Sequence, residues 1–151
     1  MRSPRARPRA AASPVAPATQ GLSILVAEDN QINALLIRSL LAKLGHHTVI
    51  TTDGNEALES WLSAKSAGSP YDLVLMDIQM PNLNGIETTK RIREVEAGQP
   101  DRRTPVLALT ANTLVEDRYA CFEAGMDGFL IKPLDREKLT EALAGLAASR
   151  H

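Results

Sequence analysis

The sequence predicts an α/β fold, a doubly wound sheet of five parallel strands with helices on its faces. Three observations predict it. Short apolar runs recur along the chain, each closed by a polar or turn residue, as parallel strands buried on both faces require. Stretches with apolar residues at helical spacing separate them. The loops are short, so successive strands are joined through helices, and right-handed crossovers of that kind build an open parallel sheet. Five units are too few for an eight-stranded barrel, and no repeat of about 20–50 residues marks a solenoid.

The elements follow in order from Leu22. The first strand is expected over 22–27. The helix after it carries Ile32, Leu35, Leu36, Leu40 and Leu44 as its apolar face and stops at Gly45. The second strand spans 47–51, with His47 and Val49 alternating against Thr48 and Ile50. A helix over 54–66 presents Ala57, Leu58, Trp61 and Leu62 and ends in a Gly-Ser-Pro loop. The third strand is 71–76, and a helix near 84–97 follows the turn Pro81-Asn82-Leu83-Asn84-Gly85. Pro105 leads into a fourth strand at 105–109. Its helix, 114–124, carries Val115, Tyr119 and Phe122 and ends at Gly125. The fifth strand is 128–131, and the last helix starts at an Asp135 cap with Leu139, Leu143 and Leu146 on one face.

Four of these strands end in polar residues: Glu28-Asp29, Asp77, Thr110 and Lys132. Ligand sites of open α/β sheets lie at the carboxyl ends of the strands, so the fold gathers these groups at one edge. Three carboxylates within about 4–6 Å repel by several kcal/mol per pair at an effective dielectric near 20. One remedy is a proton shared between raised carboxyls, as in an acid/base pair. The other is a hard divalent cation, and oxygen-only ligands with no nearby His or Cys favour Mg²⁺. Together with a cation, the Lys132 ammonium and the Thr110 hydroxyl suit a phosphoryl group, whose three equatorial oxygens each need a partner during transfer. A carboxylate central to the edge then becomes a candidate nucleophile, forming an acyl phosphate. His46 and His47 lie at the far end of a helix from this edge, and are expected as a surface and a half-buried strand residue, respectively.

Composition narrows the class. At 151 residues, 44% hydrophobic and 23% charged, the chain is an ordinary water-soluble globule of one domain. No apolar run approaches the roughly 20 residues of a membrane span, so direct membrane contact is not expected. The single cysteine, Cys121, excludes an internal disulfide framework, fits a reducing compartment, and reads as core filler. Residues 1–21 carry Arg2, Arg5, Arg7 and Arg9 and no acid, while the remaining 13 basic and 18 acidic residues leave the domain at −5. A mildly acidic domain argues against nucleic-acid binding. Pro4, Pro8, Pro14 and Pro17 interrupt any helix in the first 21 residues, which have nothing to bury and read as a flexible linker to something preceding them.

Five segments resemble the receiver domain of two-component response regulators. They are Ile24-Leu25-Val26-Ala27-Glu28-Asp29-Asn30, Leu75-Met76-Asp77-Ile78-Gln79-Met80-Pro81, Asn84-Gly85, Leu109-Thr110-Ala111, and the stretch from Ala124-Gly125-Met126-Asp127 through Gly128-Phe129-Leu130-Ile131-Lys132-Pro133. The resemblance covers roughly 22–148, and the five motifs occur in the family's order and spacing. It implies a flavodoxin-like sheet of order 2-1-3-4-5, and Asp77 as the residue that accepts a phosphoryl group from a phosphohistidine. It also implies that Glu28, Asp29, Asp77 and the backbone carbonyl of Gln79 hold Mg²⁺, that Thr110 and Lys132 bind the phosphate, and that Phe129 is a switching aromatic. The Lys132–Pro133 bond is commonly cis in the family. The wording around Glu28 and Asp77 is similar to receivers of hybrid histidine kinases. That likeness implies a kinase core and a histidine phosphotransfer protein as partners, and a cytoplasmic place that can be tethered to a membrane-bound kinase. No phosphoaccepting histidine motif, ATP-binding glycine box or DNA-binding output domain is evident in the chain.

Two rivals fit less well. Aspartyl phosphatases place a second Asp two residues after the nucleophile, where this chain has Gln79, and there is no room for a cap domain. A degenerate receiver that only binds partners would lack Asp77, Lys132 or an acidic ligand, and all are present.

Overall fold

A computed structural model describes residues 21–80, 83–98, 103–111 and 115–149, with backbone alone at 115–117 and 146–149. Residues 1–20 of the linker expected over 1–21, the Pro81-Asn82 part of the third turn, and the Val115 and Leu146 side chains lie outside the described residues. The order is β1 (Ser23–Ala27), α1 (Gln31–Lys43), β2 (His47–Thr51), α2 (Gly54–Ser66), β3 (Leu73–Asp77), α3 (Gly85–Glu96), β4 (Val106–Thr110), α4 (Val115–Ala124), β5 (Gly128–Ile131) and α5 (Arg136–Ser149). All pairings are parallel and the sheet order is β2-β1-β3-β4-β5. β3 and β4 each end one residue later than expected, so Asp77 and Thr110 close their strands from within the ladder.

Strand alternation divides the core in two. Leu25, Ala27, Val74, Met76, Val106 and Ala108 face α2, α3 and α4, where Ala57, Trp61, Ile92 and Cys121 meet them. Ile24, Val26, Leu73, Leu75 and Leu109 face α1 and α5, which contribute Ile37, Leu41, Leu139 and Leu143. The result is three layers, and Cys121 is the core filler expected.

The helices are where the sequence misleads. α1 packs on the sheet through Ala34, Ile37 and Leu41, while Ile32 and Leu35 of the expected face are 79% and 64% exposed. In α4 the expected Tyr119 and Phe122 are exposed, and Cys121 and Ala124 are buried instead. In α4 the small Cys121 and Ala124 let the helix approach the sheet closely, while in α1 Ile37 and Leu41 supply the apolar contact instead of Ile32 and Leu35. Asn30, Asp53, Asn84 and Asp135 cap α1, α2, α3 and α5, each side chain accepting an N–H of the first turn. Gly45 ends α1 at φ 91°, a left-handed conformation that favours glycine.

The two histidines exchange their expected places: His46 is buried and His47 is exposed. β2 is an edge strand, so His47 and Val49 face outward. The His46 ring turns inward, and its Nδ1 accepts the Leu22 N–H at 3.2 Å. Burial lowers its pKa from 6.5, and the His47 ring adds to this while Asp72 opposes it. A depressed histidine pKa means that the unfolded chain binds the proton more readily. The stabilisation is therefore complete above about pH 6.5 and lost as pH falls through the folded value. Between about pH 7.5 and 5.5, the parent is expected to lose more melting temperature than His46→Gln, whose amide oxygen accepts the same N–H without titrating. Equal losses in a thermal melt would remove His46 from this role.

Candidate functional site

The carboxyl ends of β1, β3, β4 and β5 open into a cleft of about 390 Å³, lined by Glu28, Asp29, Asp77, Gln79, Thr110 and Lys132 together with Asn30, Asn33, Ile78 and Ala111. The six groups expected to hold the ion and the phosphate are thus in one place. Phe129, expected as a switching aromatic outside the cleft, packs against the core on the α2–α3–α4 side of the sheet. Asn33 was not legible as a cleft residue. It is three residues along α1 from Asn30, whose Oδ1 accepts its N–H at 3.0 Å.

Short-range geometry sets each group. β3 delivers Asp77, whose Oδ1 accepts the Gln79 N–H at 2.9 Å and whose Oδ2 accepts from Lys132 Nζ at 2.9 Å. The Lys132 N–H donates to the Thr110 carbonyl at 2.8 Å, which extends the β4–β5 pairing and aims the lysine at the cleft. The Lys132–Pro133 peptide is cis. Glu28 Oε2 accepts the Asn30 N–H at 3.1 Å. Beneath the site, Gly85 at the start of α3 touches β3 so closely that a Cβ there would collide with the Asp77 carbonyl oxygen and the Met76 side chain.

Electrostatics leave the site short of positive charge. Oxygens of Glu28, Asp29 and Asp77 lie within 4.8 Å of one another. Lys132, 2.9 Å from Asp77 and 3.0 Å from Glu28, supplies one ammonium against three carboxylates. Burial would lower the Lys132 pKa, but the adjoining Asp77 and Glu28 carboxylates outweigh it and hold the pKa above the usual lysine value. Glu28 is displaced upward, first by burial and then by the neighbouring Asp77, against the opposing pull of Lys132 and the Asn30 N–H. Its Oε1 is buried and, although at ion-pair distance from Lys132, accepts no hydrogen bond among the described residues. A buried acceptor without a donor, in an oxygen-only cluster with Asp29 exposed beside it, is a set that a hard divalent cation fits.

Comparison with known proteins places these observations. Residues 24–144 match the sequence profile of the response regulator receiver domain. A hybrid signal transduction histidine kinase of Dictyostelium discoideum is 41% identical over 120 residues, covering 80% of this chain and 7% of the kinase. Among histidine kinase relatives, this chain spans 7% to 16% of the full length. The receiver domain of a Pseudomonas aeruginosa sensor histidine kinase, solved with a magnesium ion coordinated in its active-site cleft, is 37% identical with a TM-score of 0.72. That match covers 85% of this chain and 98% of that one. A Saccharomyces cerevisiae receiver domain, co-crystallised with a histidine phosphotransfer protein, is 28% identical with a TM-score of 0.75, covering 87% of this chain and 92% of that one.

Proposed function

The chain belongs to the response regulator receiver domain family, and on that footing we propose that residues 22–148 are a phosphoacceptor switch in a phosphorelay. The observation that carries this is the convergence of three carboxylates and Lys132 on one cleft, with Asp77 central to it. In the proposed reaction an Asp77 carboxylate oxygen attacks phosphorus, the bond to the donor imidazole breaks, and its electron pair stays on the ring nitrogen. Glu28, Asp29, Asp77 and the Gln79 carbonyl would hold Mg²⁺, which when bound neutralises charge on the phosphoryl oxygens. Lys132 serves as a fixed cation beside the same oxygens, and the Thr110 hydroxyl donates to one of them.

The donor is a phosphohistidine, either on a kinase core or on a histidine phosphotransfer protein of the kind the yeast relative binds. A protein donor must cover the cleft rim to bring its imidazole to Asp77. The exposed Ile32 and Leu35 on α1, the helix that also carries the rim residue Asn33, give it an apolar surface to cover. Among the described residues no helix is long and apolar enough to cross a membrane. A cytoplasmic location, with tethering only through a kinase partner, belongs to the same proposal.

The metal part has its own test. Asp29→Asn is expected to weaken Mg²⁺ binding by about tenfold or more, since even the loss of a group that only orients a ligand costs that much. The same change at Asp72 or Asp127, at the opposite end of the sheet, should leave it nearly unchanged. Phosphorylation by a small phosphodonor should follow the same ranking. Equal weakening by all three substitutions, read by calorimetric Mg²⁺ titration, would place the ion elsewhere.

A further inference from the structure

Phe129, the second residue of β5, is engaged from the α4 side by two residues. The Arg118 guanidinium carbon lies 4.5 Å from the centre of its ring. Phe122 meets the same ring edge to face, with centroids 6.3 Å apart and planes inclined at 72°. Both geometries fall in the attractive range for a cation over an aromatic face and for a T-shaped pair. Arg118 and Phe122 are four residues apart, so one face of α4 presents both. Phe122 is 51% exposed, so burial in the core does not account for its position. Phe129 is its aromatic partner.

The strand register shows where the ring could otherwise go. Phe129 pairs with Ala108, and Ile131 with Thr110. Alternation puts Ala108 and Thr110 on the same face of β4, so the route from Phe129 toward Thr110 runs between Ile131 on β5 and, on β4, only the methyl group of Ala108. In the phosphoacceptor reading, on which this inference rests, a phosphoryl group on Asp77 engages the Thr110 hydroxyl and draws it toward the cleft. That movement vacates space beside Ala108. A ring entering that space has to leave both Arg118 and Phe122.

We propose that Arg118 and Phe122 form a clamp on Phe129 that opposes the phosphorylated conformation and so sets how readily this domain switches. They are positioning residues, since neither lines the cleft. Their contacts exist in one of two packings, and weakening them shifts the population toward the other. A cation over a ring, with the cation exposed as Arg118 is, changes such a population by about two- to fivefold. The edge-to-face pair is of similar size.

The test uses the full chain and two readouts. One is the set of NMR contacts between the Phe129 ring and either Phe122 or the Thr110 methyl, without any phosphate analogue. The other is the apparent affinity for beryllofluoride, an acyl-phosphate mimic, in the presence of Mg²⁺. Arg118→Ala and Phe122→Leu are expected to strengthen the Phe129–Thr110 contacts and raise beryllofluoride affinity by about two- to fivefold each. Arg118→Lys should fall between parent and Ala, and Mg²⁺ affinity measured without fluoride should stay at the parent value. Ring contacts in Arg118→Ala and Phe122→Leu that match the parent overturn the clamp. If the parent itself takes up no beryllofluoride, the phosphoacceptor reading fails, and the ring contacts still decide whether the clamp exists.

Discussion

Asp77→Asn is expected to take up no phosphoryl group under conditions in which the parent gains one. The asparagine keeps the size of the side chain, and its oxygen can still accept the Gln79 N–H that now meets Oδ1 at 2.9 Å. The nucleophilic carboxylate oxygen is lost, and Lys132 faces an amide in place of the Oδ2 it now holds at 2.9 Å. Removing one of three crowded carboxylates should, if anything, stabilise the fold, so a failure of phosphorylation will not be a failure to fold. Intact-mass measurement after treatment with a small phosphodonor and Mg²⁺ reads the outcome. A full adduct on Asp77→Asn would assign the acceptor to another residue.

The second large effect is at the opposite end of the sheet and concerns stability alone. Arg93 of α3 donates to Glu96 Oε1 at 2.6 Å, to the Thr104 carbonyl at 2.7 Å, and to the Gly125 carbonyl and Asp127 Oδ2 at 2.9 Å. Glu96 is buried, and its other oxygen accepts the Thr104 N–H. Trp61 donates to the Thr104 hydroxyl at 3.1 Å, which brings α2 into the same network. Arg93→Met should keep most of the aliphatic packing while leaving Glu96 buried without its cation. Breaking a buried pair in this way costs about 3–5 kcal/mol, a drop on the order of 2 M in the urea midpoint. Adding Glu96→Gln to Arg93→Met should recover part of the loss, because the amide carries no uncompensated charge. A double variant no more stable than Arg93→Met would mean that lost packing, not the stranded carboxylate, dominates.

These two ends of the molecule were unequally legible in the sequence. The strands could be read directly, because a parallel strand buried on both faces is a short uninterrupted apolar run such as Leu73–Met76. The polar residues ending those runs could be read with them, since the topology fixes which strand ends meet. The helix faces could not. α1 is leucine-rich enough to offer two apolar stripes, and the choice of Ala34, Ile37 and Leu41 over Ile32 and Leu35 depends on how closely the helix seats on the sheet. The place of His46 depends on a hydrogen bond to Leu22, distant in sequence, and that of His47 on β2 lying at the sheet edge. The Arg93 network has no local signature, since three of its acceptors belong to Thr104, Gly125 and Asp127, well along the chain. Its charged residues read, one at a time, as ordinary surface groups.

Gly85 gives the site an uneven mechanical stiffness. The start of α3 rests on the Asp77 backbone with no space for even a methyl group, so β3 meets a hard stop on that side. Toward β4 the register partner of Asp77 is Leu109, and beyond it β5 is half-buried along its length. Movement of the Asp77 backbone toward α3 is therefore blocked, with α3 acting as the anvil. Any side chain at position 85 would have to move that anvil, and with it the seat of Asp77.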